Sequence, residues 1–243
     1  MIIAIFNEDR NLDRSVLATS LAVACTSSQN RVALIDATAN GHSLSWCVRR
    51  AGTRVKPRIA AYAAETVRAD FSDALSPWRR RYRDIVIDVD GRSSLHLETM
   101  LLAADVLVVP KSYAQQSSEN ARESDLRFAE RIGKISLFNP SLKILIVEMR
   151  AAGREEAAVD NTAEKLAALL PGAVPADTVI HKTAVAALAY DKGLCVLDGD
   201  KQRLGMAAEI DSLRKEIRDM ENSPQTTNIA TLTKAIHGLT HWH

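Results

Sequence analysis

The first residues whose types and spacing could bind a ligand lie in a short loop near the amino terminus. Residues 7–15 follow a continuous apolar run and precede apolar residues at helical spacing. A loop between a buried strand and a helix is a common place to hold phosphate, because the helix presents free backbone N–H groups there. This loop has the length of a phosphate-binding loop and ends in Arg14-Ser15, but it contains no glycine.

The composition of this loop opposes phosphate binding. Glycine permits positive φ angles and the close approach of backbone N–H groups to a phosphate, and other side chains would crowd it. The three acidic residues of the loop outnumber its two arginines, so the loop is net negative before a polyanion arrives. Like charges a few ångströms apart cost about 1 kcal/mol in water and more when buried. The alternative interpretation is an ordinary strand–helix turn that never held a nucleotide.

Two further aspartates come at the ends of predicted buried strands. Asp36 follows the predicted strand 31–35, and Asp88 ends the predicted strand 84–88. The carboxyl ends of parallel strands meet at one edge of a sheet, where open sheets bind ligands. Aspartates also end strands for structural reasons, and Asp36 could simply cap the helix predicted to begin near Ser43.

The order and spacing of these elements resemble the ParA/MinD-type ATPases, whose deviant Walker A loop has the pattern K-G-G-x-G-K-[ST]. In that frame Asp9 replaces the signature lysine, Arg14 replaces the phosphate-binding lysine, and Ser15 keeps the magnesium-binding hydroxyl. The resemblance extends from Met1 to about Met220, with motifs that are individually degenerate.

The resemblance also indicates a second altered element. It implies that Asp36 lies near the magnesium and that Asp88 belongs to a Walker B strand, while Thr38 replaces the aspartate that orients the attacking water. Threonine cannot usefully accept a proton near neutral pH. We therefore expect a vestigial nucleotide site with no assigned catalytic residue. ATP and magnesium are expected only if the chain is a divergent active ATPase, in which case Ser15 and Asp36 would hold the metal.

Alternating strand and helix patterns predict the fold class. We expect an α/β fold with a doubly wound, mostly parallel sheet and helices on both faces, like a P-loop NTPase or another Rossmann-like three-layer fold. The domain is predicted to span residues 1–221. Residues 222–243 form a tail with one amphipathic stretch, which could be a short helix.

Composition limits the class of protein. The chain has 243 residues, 47% hydrophobic content and a formal net charge of +1, so no global basic field draws it to nucleic acid. Its three cysteines are widely spaced, which suits a reducing compartment. No apolar run is long enough to span a membrane. These features predict a cytoplasmic protein without a membrane partner.

Basic residues form two local groups. The denser group is Arg79, Arg80, Arg81 and Arg83, and the second is Lys215 with Arg218, which are predicted to face outward on the last helix. Such residues could contact DNA phosphates, although basic runs are more often solvated helix ends. We expect weak, salt-sensitive DNA binding at most.

Three functions remain open at this stage. The first is a ParA-like protein of plasmid partition, maintenance or conjugation that has lost efficient ATP hydrolysis and binds a partner protein, DNA or both. The second is a divergent ATPase that positions DNA or cargo. The third is a protein-interaction module on a pseudo-ATPase scaffold. Because Asp9 cannot replace the signature lysine, a nucleotide-sandwich dimer is not expected, whereas self-association through another face remains open.

Overall fold

The computed structural model describes residues 1–8, 12–66, 77–91, 94–112, 119–151, 161–199 and 205–223. Several sequence predictions concern residues outside these ranges. They are the position of Asp9 and the tail beyond residue 223. The sequence pattern also predicts a helix from about Ala69 towards Trp78, most of which lies outside these ranges. The family resemblance implies that Gln115, likewise outside them, replaces a family aspartate.

The centre of the molecule is a parallel sheet of eight strands. The strands are β1 (Ile2–Asn7), β2 (Val32–Ala37), β3 (Ala60–Ala63), β4 (Asp84–Asp90), β5 (Val106–Ser112), β6 (Lys143–Ala151), β7 (Ala173–Pro175) and β8 (Ile180–Lys182). Their order is β3-β2-β4-β1-β5-β6-β7, and β8 also pairs with β6. The central strands are apolar along their length because helices cover both faces of the sheet. The predicted fold class is confirmed.

Seven labelled helices form the outer layers of the described structure. They are α1 (Asp13–Cys25), α2 (His42–Ala51), α3 (Ser94–Ala103), α4 (Glu119–Phe138), α5 (Thr162–Leu169), α6 (Ala184–Asp191) and α7 (Met206–Asn222). Helices α3, α4 and α5 pack on one face of the sheet, and α1, α2, α6 and α7 pack on the other. No helix among the described residues is long and apolar enough to cross a membrane.

The sequence patterns missed two short strands and misplaced one helix end. Strand β3 consists mostly of alanine, which has low strand propensity, and it lies half-buried at the sheet edge. Strand β7 contains Pro175, which an edge strand tolerates. The sequence pattern predicts a helix over 117–132, whereas α4 continues to Phe138, and Ile135 packs into the core.

A buried arginine joins α2 to the segment that follows α6. Arg50 donates to both carboxylate oxygens of Asp198 at 2.7 and 2.8 Å, and to the carbonyl oxygens of Gly193 and Pro57. The guanidinium lies 5.0 Å from the centre of the Trp46 ring. Gly193 has a φ of +72°, and a Cβ there would lie 2.3 Å from the Arg50 backbone nitrogen. Only glycine therefore fits at this contact.

The three cysteines are all buried and free. Burial raises the pKa of each thiol, in Cys25, Cys47 and Cys195, to about 12. They are chemically quiet members of the core rather than candidate nucleophiles or metal ligands.

Candidate functional site

The predicted site residues meet at the carboxyl edge of the sheet. Asp36 and Asp88 are register partners on the adjacent strands β2 and β4, so the two carboxylates stand side by side. Helix α1 starts beside the end of β1 and brings Arg14 and Ser15 to the same place. Four of the five residues proposed from sequence are therefore together, and Asp9 lies outside the described residues.

Arg14 is engaged by the protein itself. Its Nε donates to Asp88 Oδ1 at 2.7 Å, and its Nη1 donates to Asn7 Oδ1 at 3.3 Å. The side chain of Arg14 is 4% exposed and that of Asp88 is 0% exposed, so the ion pair is shielded from water. Ser43 Oγ donates to the second carboxylate oxygen of Asp88. Both oxygens of this aspartate are consequently used within the chain.

Sequence analysis did not identify Asn7 and Ser43 as members of this network. Asn7 ends β1, and its Nδ2 donates to the carbonyl oxygen of Pro110 at 3.2 Å, which ties β1 to β5. Ser43 belongs to the first turn of α2, where a serine is ordinarily interpreted as a helix-start residue. Their role depends on contacts between distant segments, and no local pattern signals it.

Asp36 organises the turn that leads into α2. One carboxylate oxygen accepts from the Thr38 backbone N–H at 2.9 Å and from Thr38 Oγ1 at 2.7 Å, and the other accepts from the Leu44 N–H at 2.7 Å. Burial raises the pKa of Asp36, and these hydrogen bonds oppose the shift. The Asp36 carboxylate therefore satisfies a free N–H in the first turn of α2, although Gly41 holds the N-cap position itself.

Two other acidic groups at this edge also meet cations of the same chain. Lys182, on β8, places its Nζ 2.9 Å from Asp13 and 3.3 Å from Ser112 Oγ. Arg131, on α4, lies 3.8 Å from Glu8. Neither cation was predicted, because each comes from a segment far along the chain from the loop carboxylate that it contacts.

The described residues do not fit a magnesium nucleotide in this arrangement. Arg14 is directed to Asp88 rather than left free for phosphate, and the oxygens of Asp36 and Asp88 already accept hydrogen bonds. No group of three or more histidine, cysteine or acidic side chains that could hold a metal occurs in the described part of the chain. One feature does fit, since Ser15 Oγ is buried and has no hydrogen-bond partner among the described residues.

The residues considered for DNA contact lie at the opposite, amino edge of the sheet. Arg79 pairs with Asp105, with N–O distances of 3.1 and 3.2 Å, whereas Arg80, Arg81 and Arg83 are exposed. On α7, Lys215 is exposed as predicted.

The prediction that the Arg218 side chain points outward is wrong. This side chain is mostly buried and pairs with Asp84 and Glu221. The buried carboxylate of Asp84, at the start of β4, attracts the Arg218 guanidinium. The spacing of apolar residues along α7 does not indicate this contact.

Among solved structures, the neighbours of this fold are MinD/ParA-type P-loop ATPases. No family model and no curated protein matches the chain. Solved structures do match.

The similar structures include MinD in a MinC:MinD cell division complex from Aquifex aeolicus (13% identity, 93% of this chain and 98% of that one, TM-score 0.61). Another is a plasmid partition protein from Borrelia burgdorferi bound to AMPPNP, with 16% identity over 90% of this chain and 98% of that one and a TM-score of 0.60. A third is MinD with Mg-ADP from Pyrococcus horikoshii, with 16% identity over 91% of this chain and 97% of that one and a TM-score of 0.61. At these identities the likeness concerns the fold.

Proposed function

We propose that this chain uses a ParA/MinD-type fold as a binding scaffold that no longer hydrolyses ATP. It would act in the cytoplasm by engaging a protein partner, in plasmid partition, maintenance or conjugation. The observation that carries the proposal is the buried ion pair between Arg14 and Asp88. In this arrangement Arg14, the cation that a phosphate would require, and Asp88, the carboxylate that magnesium would require, are bound to each other.

The energetics of that pair support the proposal. A nucleotide that drew Arg14 away from Asp88 would leave that buried carboxylate without its cation, and losing one partner of a buried pair costs about 3–5 kcal/mol. The incoming phosphates would also approach acidic side chains at positions 8, 9 and 13. Arg131 and Lys182 offset the charges of Glu8 and Asp13 only in part, because both ion pairs are partly exposed to water. Helix α1 still presents its amino terminus, but that attraction contributes about 0.3–1 kcal/mol. The balance opposes nucleotide binding.

The neighbours support the partner and the biological setting by analogy. One of the similar structures is a MinC:MinD complex, and another is a plasmid partition protein. A fold used in both settings can present a protein-binding surface. This makes a protein partner the expected ligand here, of the partition or conjugation adaptor type.

A second candidate, a divergent ATPase, is favoured by one observation. Ser15 stands where the family has its magnesium-binding hydroxyl, and its buried Oγ has no hydrogen-bond partner among the described residues. If Arg14 released Asp88, then Ser15, Asp36 and Asp88 would offer oxygen atoms to a magnesium ion.

Calorimetric titration with Mg-ATP, together with phosphate-release kinetics, tests the proposal. We expect neither binding heat nor turnover above the buffer rate. Asp88→Ala is the diagnostic variant. Asp105→Ala is its control, because Asp105 also pairs with an arginine but lies at the amino edge. Turnover that Asp88→Ala abolishes and Asp105→Ala preserves would establish the ATPase and contradict the proposal.

A further inference from the structure

Four exposed arginines lie close together at the amino edge of the sheet, away from the candidate nucleotide site. They are Arg31, Arg80, Arg81 and Arg83, and we call them the amino-edge arginine cluster. The Arg83 N–H donates to the Arg31 carbonyl oxygen at 3.0 Å, which joins the segments before β2 and β4. The cluster is therefore assembled from two distant parts of the sequence by the pairing of β2 with β4.

The buried Tyr82 orients two members of this cluster. The guanidinium carbons of Arg31 and Arg81 lie 5.6 and 5.4 Å from the centre of the Tyr82 ring. Cation–π contacts of this kind restrict the two side chains before any ligand arrives. Because less rotamer entropy remains to be lost, binding through these groups is favoured.

The cluster lacks acidic partners among the described residues, unlike the other arginines nearby. Arg79 is neutralised by Asp105 and Arg218 by Asp84, but no ion pair to a described residue involves the four cluster members. Each guanidinium keeps planar donors that match a carboxylate in a bidentate fashion. A local surface whose positive charge no described acidic residue compensates, on a chain with net charge +1, indicates an anionic ligand.

The surroundings of the cluster select a short ligand over a long polyanion. Helices α1, α3, α4 and α7 all end at this edge, and each helix carboxyl terminus carries a partial negative charge. Asp105 and Glu221 are partly exposed there. A DNA duplex laid across the edge would meet these negative groups, whereas a short segment could contact the arginines alone.

We infer that the amino-edge arginine cluster docks a short acidic peptide segment of a protein partner. This surface is at the opposite edge from Arg14 and Asp88, so the inference goes beyond the proposed function and does not require the nucleotide site to be inactive. A chain that turned out to hydrolyse ATP could still bind such a peptide, and a chain without ATPase activity could fail to bind it.

Fluorescence anisotropy with a labelled oligoglutamate peptide tests the inference, using the full chain at low salt. The diagnostic variant is Arg81→Gln/Arg83→Gln. The matched control is Arg127→Gln/Lys134→Gln, which removes the same charge from exposed i,i+4 pairs on α4. We expect the diagnostic variant to weaken peptide binding by about tenfold and the control to change it by less than about twofold.

Three results would overturn the inference. The first is an absence of oligoglutamate binding by the unmodified chain. The second is an equal loss of affinity in both double variants, which would indicate a general charge effect. The third is tighter binding of a mixed-sequence DNA duplex than of the peptide, with the same dependence on Arg81 and Arg83, which would assign the cluster to nucleic acid. Circular dichroism of both variants verifies that they remain folded.

Discussion

Replacing Arg14 with methionine distinguishes a structural counter-ion from a residue held ready for phosphate. A residue awaiting a ligand contributes little to the stability of the free protein. In this structure, however, Arg14→Met would leave the fully buried carboxylate of Asp88 with the Ser43 hydroxyl as its only partner among the described residues. Loss of one partner from a buried ion pair costs about 3–5 kcal/mol, a large fraction of the stability of a typical domain. Methionine retains most of the aliphatic stem, so the loss reports mainly on the charge.

Urea unfolding followed by far-UV circular dichroism measures this effect. Lys134→Met is the control, since Lys134 and Glu130 form an exposed i,i+4 pair whose loss should cost about 0.3–0.5 kcal/mol. The double variant Arg14→Met/Asp88→Asn removes both charges, and we expect it to recover about 1–3 kcal/mol relative to the sum of its single variants.

A small loss would refute this account of the site. If Arg14→Met costs no more free energy of unfolding than Lys134→Met, the ion pair does not stabilise the fold and Arg14 is available to a ligand. Additive single variants would lead to the same conclusion, because they would show no energetic coupling between Arg14 and Asp88.

Four further predictions follow from named contacts. Arg14→Lys alone should not produce calorimetric Mg-ATP binding, because the loop still lacks glycine and keeps its acidic side chains; micromolar affinity would contradict this. Gly193→Ala should destabilise the protein by about 2–4 kcal/mol in thermal or urea unfolding, since its Cβ would overlap the Arg50 backbone at a positive φ. The three buried cysteines, with thiol pKa values of about 12, should resist alkylation at about pH 8 in the folded protein and react in urea, as mass spectrometry would show. Sedimentation of the full chain and of a truncation after Met220 should reveal no dimer induced by ATP, because Asp9 cannot replace the signature lysine; such a dimer in the truncated chain would contradict that expectation.

The sequence determined the architecture of this protein because hydrophobic patterning acts locally. Buried runs such as 2–6 and 84–88, alternating with helical spacing, predicted the parallel α/β sheet, and the strand ends placed Asp36 and Asp88 at one edge. The absence of glycine in the first loop was likewise evident from the chain alone. These features depend on neighbouring residues or on general rules of chain topology.

Only the tertiary structure decided what the charged residues do. Arg14 and Asp88 are separated by 74 positions, and Lys182 and Asp13 by 169, so no spacing rule could pair them. Arg218, predicted to face outward, turns towards Asp84 because a buried carboxylate requires compensation. Arg31 joins the amino-edge arginine cluster through strand pairing. Charged residues pair with the opposite charges that lie near them in the folded chain, and the order of residues alone does not give those distances.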